Sequence, residues 1–488
     1  MGQNPPATTI APAEIFALAL RHHQAGRLTE AERLYRRLLA IVPDHVDGLH
    51  LLGVLSAQSG DDTTAERLIG QALSLRPDYP EAHLNLGNLL RQQDRWCQAA
   101  AHYERALVLR PTLTDAYVGL GLVCFTQNRL EEAARRYSQA LALRPDSPWL
   151  HKDYGRVLLK QGDFTAGFRE YEWRWRIKDF PVKTTPFTQP RWDGRNLAGQ
   201  TILLHAEQGL GDTLQFIRYA PLLQRQGARV VLECPGELVR LLGSMDALDQ
   251  VFSEGAARPE ADCHAPLLSL PHLLGTTLAT IPAEIPYLAP QPELVAAWAA
   301  RLPPTDGPRI GLVWAGNPRR HQPEWAAVDR RRSIALAMLA PLAAVGGIQW
   351  ISLQKERRPE LDTPPPGMTL IDVMDDVVDF ADTAALMAAL DLVIGVDTAV
   401  IHLAGALGRP AWLLSRFDGC WRWLQDRDDS PWYPSLRLFR QPDPGDWKSV
   451  ILALVACLGD GVRATEGVVR PLTGRLSSAR EATAERRP

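Results

Sequence analysis

Proline recurs every 34 residues along the first third of the chain, at Pro43, Pro77, Pro111 and Pro145. Three more series keep the same step: Gly26, Gly60, Asp94, Asn128 and Gly162; Ala31, Ala65, Ala99 and Ala133; and Gly53, Gly87, Gly121 and Gly155. A fixed period of this length marks a unit that cannot bury its own apolar face and must stack on copies of itself. Each unit reads as an apolar-periodic helix, a turn at the Gly/Asp/Asn position, and a second helix that stops near Arg76-Pro77, Arg110-Pro111 or Arg144-Pro145. Proline lacks the N–H that continues a helix and restricts the residue before it. The small residues let paired helices approach closely.

Residues 80–113 show the pattern best, with Leu86-Gly87, Ala99, Tyr103, Ala106 and Pro111, and this helix-turn-helix unit resembles the tetratricopeptide repeat. Four units run from about Pro12 to Ser147. A fifth, Pro148 to about Asp179, departs from the pattern, with Gly167 for alanine and Trp173 and Trp175 late in its second helix. Terminal repeats are often atypical because they cap a stack or join the next domain. The resemblance implies a groove for a protein or peptide partner. The alternative, that the repeats only stiffen or position the next domain, stays open.

The remaining length sets the rest of the organisation. A chain of 488 residues, 46% hydrophobic, exceeds one compact core. Its 53 basic and 56 acidic residues give a net charge of −3, so no nucleic-acid partner is indicated. The opening MGQNPPATTIAPAE lacks the basic flank and apolar run of a secretory signal, and Pro6 stands where myristoylation wants Ser or Thr. No apolar stretch reaches the ~18 residues of a membrane helix. Cys97, Cys124, Cys234, Cys263, Cys420 and Cys457 are scattered without CxxC or zinc spacing, as expected of free thiols in a reducing compartment. A soluble cytoplasmic protein with no integral membrane segment is the expectation.

Helical periodicity ends in the Pro-containing stretch 177–199, read as an ordered linker over 180–199 because of Phe180, Phe187 and Trp192. Beyond it, short apolar runs alternate with helical stretches, the mark of a parallel α/β sheet covered on both faces. Thr201–His205 and Arg229–Glu233 flank a helix expected over Thr213–Arg225. After the joint Leu302-Pro303-Pro304, strands are expected at Ile310–Trp314, Gln349–Leu353, Thr369–Val373, Leu392–Val396 and Ala411–Leu414. Helices are expected over Ser333–Val345, Thr383–Leu390, Thr398–Leu407 and Trp447–Leu458. The domains are therefore repeats over 12–179, one α/β lobe over 200–302, a second over 303–460, and a frayed tail over 461–488.

Ligands of open α/β sheets bind beyond the carboxyl ends of the strands. Four polar or glycine-rich loops follow the strongest strands: HAEQGLGD (205–212), WAGNP (314–318), SLQK (352–355) and GVDTAVIH (395–402). GLGDT is a poor dinucleotide fingerprint even with Glu233 downstream, because Leu214 holds the third glycine position and Asp212 places negative charge at the pyrophosphate seat. It is no P-loop, lacking GK[ST]. Asp212 reads either as an N-cap for a helix from Thr213 or as a carboxylate able to take a proton from an acceptor hydroxyl. Asp397 poses the same choice before the helix AVIHLAGALG, whose open first amides suit a diphosphate. His402, one turn beyond Thr398, is either a satisfied core residue or a ligand on that side. Lys355 reads as a phosphate counter-charge or a solvated loop residue, and Arg330-Arg331-Arg332 as a loop run with the same two roles. Asp426-Arg427-Asp428 matches an acidic string used for manganese, but no metal is expected.

EQGLGDTLQFIRYAPLL, GLVWAGNP, SLQK and GVDTAVIHLAGALGRPAWLL together resemble glycosyltransferase family 9, the heptosyltransferase-related enzymes, over about 200–458. They are most similar to bacterial proteins that fuse tetratricopeptide repeats to such a domain, and the order is also similar to that of eukaryotic O-GlcNAc transferase. The resemblance implies an α-solenoid followed by an α/β GT-B domain of two Rossmann-like lobes, with acceptor on the first and nucleotide sugar on the second. It implies metal-independent, inverting transfer from a nucleotide-diphosphate sugar, without a cofactor, to a protein or glycan acceptor. Asp212 then matches the candidate base, with Gly209 and Gly211 as loop backbone. Asp397, Thr398 and His402 match the donor-binding segment, joined by Asn317 and by Lys355 or Arg332 as phosphate contacts. Ala399 replaces the family's glycine, an arginine run replaces its lysine signature, and the aromatic loop Phe417–Tyr433 departs from the lipopolysaccharide enzymes, so heptose does not follow. A scaffold that keeps the fold without turnover is the alternative.

Overall fold

The computed structural model describes residues 10–178, 180, 187–318, 323–355 and 358–465. The chain divides into two compact units, Met1–Val157 and Leu158–Pro488.

The first unit is helical throughout its described length. Its helices pair as α1 (Pro12–Gln24) with α2 (Leu28–Ile41), α3 (Val46–Gln58) with α4 (Asp62–Leu75), α5 (Pro80–Gln92) with α6 (Trp96–Leu109), and α7 (Thr114–Thr126) with α8 (Leu130–Leu143). Each 34-residue series has a physical cause. The turn positions Gly26, Gly60, Asp94 and Asn128 all have positive φ, between 60° and 82°, a region open to Gly and tolerated by Asn and Asp. Gly53, Gly87 and Gly121 lie against Ile69, Tyr103 and Tyr137, where a Cβ would come within 2.7, 2.7 and 2.8 Å. Ala31, Ala65, Ala99 and Ala133 are fully buried. Arg76 and Arg144, before their prolines, pair with Asp47 and Asp115, and Arg110 pairs with Glu81. The unit boundary falls inside α9 (Pro148–Gln161), and α10 (Phe164–Tyr171) with the 3-10 turn Glu172–Arg176 belongs to the second unit.

The second unit holds two parallel sheets. The first lobe contains β1 (Thr201–His205), β2 (Arg229–Cys234), β3 (Gln250–Ser253) and β4 (Cys263–Pro266), in the order β3-β2-β1-β4. Its helices are α11 (Leu210–Phe216), α12 (Ala220–Arg225), α13 (Gly236–Leu242) and α14 (Leu270–Leu273). After α15 (Pro292–Arg301), the second lobe contains β5 (Arg309–Val313), β6 (Gln349–Ser352), β7 (Leu370–Asp372), β8 (Leu392–Val396), β9 (Ala411–Ser415) and β10 (Leu436–Arg440), ordered β10-β9-β8-β5-β6-β7. Strands β1, β5, β8 and β9 are almost wholly buried, which is why their sequences read as unbroken apolar runs. Helices α16 (Pro323–Arg332), α17 (Phe380–Ala388), α18 (Ala399–Ala406) and α19 (Trp447–Thr465) complete this lobe.

Three local expectations change. The stretch read as a helix over Ser333–Val345 is a 3-10 segment, Leu336–Ala344, with Pro341 inside it, because proline cannot sustain α-helical bonding there. Arg330, Arg331 and Arg332 are the last turn of α16 and not a loop. The helix expected over Thr213–Arg225 starts at Leu210 and breaks at Ile217–Tyr219 before α12. Of the stretch read as linker, residues 181–186 lie outside the described residues, as do 466–488 of the stretch read as a tail.

Candidate functional site

In the second sheet, β5 lies between β6 and β8, and the chain runs outward from it in both directions. The crevice between β5 and β8 is thus the switch point where a ligand is expected. Gln354, just past β6, stitches the loop after β5 into shape: its Oε1 accepts from the N–H groups of Trp314 and Ala315 at 3.0 and 2.9 Å. Its Nε2 donates to the Ala315 carbonyl at 3.0 Å. The Gly316 N–H donates to Ser333 Oγ. Arg332 then crosses Gly316 so closely that a Cβ there would come 2.1 Å from Nη2. The guanidinium donates through Nε to Asp329 and through Nη1 to the Asp397 carbonyl at 3.0 Å. Arg332 therefore joins the loops that follow β5 and β8. Asn317 stands exposed at the rim.

Thr398, and not Asp397, is the N-cap of α18, and neither side chain caps it. The Thr398 Oγ1 is buried with no partner among the described residues. A polar atom in that state is costly unless something fills the site, and the first amides of a helix also lack internal acceptors. His402 is buried, with Nδ1 2.9 Å from the Tyr433 hydroxyl and its ring stacked on Trp423. Burial lowers its pKa to about 4, against the pull of Asp397, whose carboxylate lies 3.9 Å from Nε2. The imidazole is neutral at neutral pH. Lys355 is exposed and its Nζ donates to the Val377 carbonyl at 3.1 Å. It follows β6, which β5 separates from β8, so the structure does not bring it to Thr398.

In the first lobe, Gly209 is the N-cap of α11 and Asp212 is its third residue. Asp212 is therefore not the cap that its position before Thr213 suggested. Its Oδ2 accepts from the Gly209 N–H at 2.9 Å, holding the helix start from inside. Gly211 touches the other lobe: a Cβ would lie 2.8 Å from His402 Cδ2 and 3.4 Å from Ala399 Cα. The structure thus brings Gly211 and Asp212 against the first turn of α18.

The Asp212 Oδ1 forms an ion pair with Arg422 of the second lobe. Arg422 also donates to Gln215 Oε1 at 2.5 Å and lies over the Trp421 ring. Burial pulls its pKa down, but the charges of Asp212, Cys420 and Tyr171 together more than offset burial and raise it. Arg218, also buried, donates to the Trp432 carbonyl at 2.6 Å and to the Tyr287 hydroxyl at 3.0 Å. Sequence reasoning missed both arginines. The cluster of Trp421, Trp423 and Trp432 was the available signal for Arg422, since aromatic rings and a buried cation pack together.

Among the described residues, no group of three His, Cys, Asp or Glu side chains is placed to hold a metal ion. In the Asp426–Asp428 string, Arg427 pairs with Asp429 and the Asp428 carbonyl accepts from the Leu438 N–H. No helix of the described residues is long and apolar enough to cross a membrane.

Tetratricopeptide-repeat family models match residues 16–69, 58–114 and 121–162. The first unit is a tetratricopeptide-repeat array. Residues 377–413 match the model of glycosyltransferase family 9 (heptosyltransferase), a segment that runs through α17, β8 and α18 and contains Asp397, Thr398 and His402. Protein FlbA of Caulobacter vibrioides is 28% identical over 347 residues, which is 62% of this chain and 54% of FlbA. The chain thus spans about half the length of that curated relative. Similar solved structures include PilF of Pseudomonas aeruginosa, 18% identical over 44% of this chain and 86% of that one, with a TM-score of 0.35. A MamA fragment from Desulfovibrio magneticus RS-1 is 21% identical over 34% of this chain and 94% of that one, with a TM-score of 0.31.

Proposed function

We propose that the second unit is a GT-B-type glycosyltransferase. It moves a sugar from a nucleotide-diphosphate sugar to a protein or glycan acceptor recruited by the repeats. The observation that carries this reading is the convergence at the β5/β8 switch point: Arg332, the unpartnered Thr398 hydroxyl and the open end of α18 face Gly211-Asp212 of the other lobe. A helix N-terminus beside a guanidinium fits a diphosphate in charge and in hydrogen-bond direction. The family 9 match over this same segment supports it.

In this reading the acceptor hydroxyl gives its proton to Asp212 as its oxygen bonds to the anomeric carbon. The bond from that carbon to the phosphate oxygen breaks on the opposite side, which inverts the centre. The α18 amides, the Thr398 hydroxyl and Arg332 then stabilise the leaving diphosphate. The chemistry is metal-independent and uses no cofactor. Asp212 already accepts from Gly209 and Arg422, so the proton must go to a remaining lone pair of the carboxylate.

That same pairing favours a second reading, a repeat scaffold whose transferase domain binds without turnover. Release of free sugar from a panel of UDP-, GDP- and ADP-sugars, without acceptor, separates the two. Hydrolysis of one donor that disappears in Asp212→Asn supports transfer. Heat stabilisation by a nucleoside diphosphate with no hydrolysis of any sugar supports the scaffold.

A further inference from the structure

The helix that sequence counts as the second helix of a fifth repeat has different neighbours from those of the other repeats. Phe164 and Phe168 of α10 are buried, 1% and 2% exposed. Phe164 stacks on Trp432 at 5.7 Å, and Phe168 meets Trp421 edge-on at 5.6 Å. Both tryptophans belong to the loop that carries Arg422, and Phe216 of α11 packs against the same two rings. On the first-lobe side, Tyr171 accepts from Gln208 Nε2 at 3.0 Å. Arg174 grips Glu207 with Nη2 at 2.8 Å from Oε1 and Nε at 3.3 Å from Oε2. Arg174 also donates to Ser269 Oγ and pairs with Glu172, and the Arg174 and Glu207 side chains are both fully buried. Glu207 and Gln208 immediately precede Gly209, whose N–H fixes Asp212.

Two features oppose a purely structural account of this pair. A buried ion pair seldom adds net stability over apolar residues of similar volume. The pair also joins two segments far apart in sequence: it anchors the loop that delivers Asp212 to the turn after α10, and α10 itself packs Phe164 and Phe168 on the Arg422 loop. We infer that α10 and the turn after it form a strut of the site, in which Arg174 is a positioning residue holding the Glu207–Asp212 loop opposite the 417–433 loop. This rests on the proposed role of Asp212 for its effect on turnover, but not for its effect on the loop.

The test uses the full chain carrying Arg174→Met with Glu207→Leu, which removes both charges together and leaves neither orphaned. Unfolding midpoint in urea and amide hydrogen exchange of Ala206, Asp212 and Thr213 are measured. These amides bond to the carbonyls of Glu233, Gly209 and Gly209. The strut predicts an unchanged midpoint with exchange at these amides about ten-fold faster or more, and not elsewhere in the first lobe. Tyr171→Phe, which removes only the hydroxyl that Gln208 reaches, predicts a smaller acceleration at the same amides. Where the wild-type chain hydrolyses one of the UDP-, GDP- or ADP-sugars, kcat falls about ten-fold or more while KM stays within about two-fold. Arg174→Lys restores part of that kcat. An unchanged midpoint with unchanged exchange overturns the inference, and so does a fall in midpoint with uniformly faster exchange. If the wild-type hydrolyses no sugar but the exchange pattern appears, the strut stands and the transferase reading fails.

Discussion

Asp212 and Arg422 lie 210 residues apart in the chain and form one ion pair across the two lobes of the second unit. The carboxylate is the nearer to solvent of the two, with 21% of its side chain exposed against 10% for the arginine. One residue thus serves its own helix start, the lobe contact and the proposed proton transfer.

Asp212→Asn is expected to abolish transfer. An asparagine still accepts from Gly209, but Arg422 loses its counter-charge in a buried setting, which costs about 3 kcal/mol. Urea denaturation of the variant measures it. A wild-type midpoint would show that Arg422 finds another partner.

Gly211→Ala tests the approach of α11 to α18. Its Cβ would meet His402 Cδ2 at 2.8 Å, and the imidazole cannot swing aside while held by Tyr433 and Trp423. Overpacking of this kind costs roughly 1–3 kcal/mol. The expected signature is a lower unfolding midpoint with little change in helix content.

Arg332→Ala is expected to weaken binding of the matching nucleoside diphosphate by about ten- to a hundred-fold, the worth of one charge-assisted bond, and to leave the bare nucleoside unaffected. Lys355→Ala, whose ammonium bonds to the Val377 carbonyl, is expected to do less. Calorimetric titration of both ligands against both variants decides. A larger loss from Lys355→Ala would move the phosphate seat towards β6.

Acid should loosen the second unit. Burial lowers the pKa of His402 and of His264 to about 4, and that of His205 to about 3. Each ring binds its proton more readily when unfolded, where the pKa is ~6.5. Their contribution is complete above about pH 6.5 and is lost as pH falls towards 4, by up to ~1.4 kcal/mol per pH unit for each ring. Urea midpoints of the full chain across this window should show the slope, and His402→Asn should reduce it by one proton's share.

Truncation tests where the second unit begins. A fragment starting at Pro148 keeps α9, α10 and their aromatic contacts, and should unfold cooperatively. A fragment starting at 187 exposes Trp421 and Trp432 and leaves Glu207 buried without Arg174. It should unfold at a markedly lower urea concentration.

The repeats were legible because every term of their pattern is local. A left-handed turn takes Gly, Asn or Asp, and a glycine stands wherever Ile69, Tyr103 or Tyr137 of the partner helix would meet a Cβ. The buried strands were legible for the same reason, as were the loops after them, since strand ends place them. Strands β3, β4 and β10 were not. All three are edge strands, and Arg437 and Arg440 break the apolar run of β10.

Asp212, Arg332, Thr398 and His402 could be picked out from the sequence, but Arg218, Arg422 and the partners of all of these could not. Periodicity records which face of an element is buried, and says nothing of what buries it. Gly167 and the late tryptophans marked the fifth repeat as odd, yet only packing shows α10 leaving the repeat array for the second unit. The same limit decided Arg332 over Lys355 as the group beside Asp397. It also decided Arg422 as the partner of Asp212, because a charge pair between residues 210 positions apart leaves no mark in either local sequence.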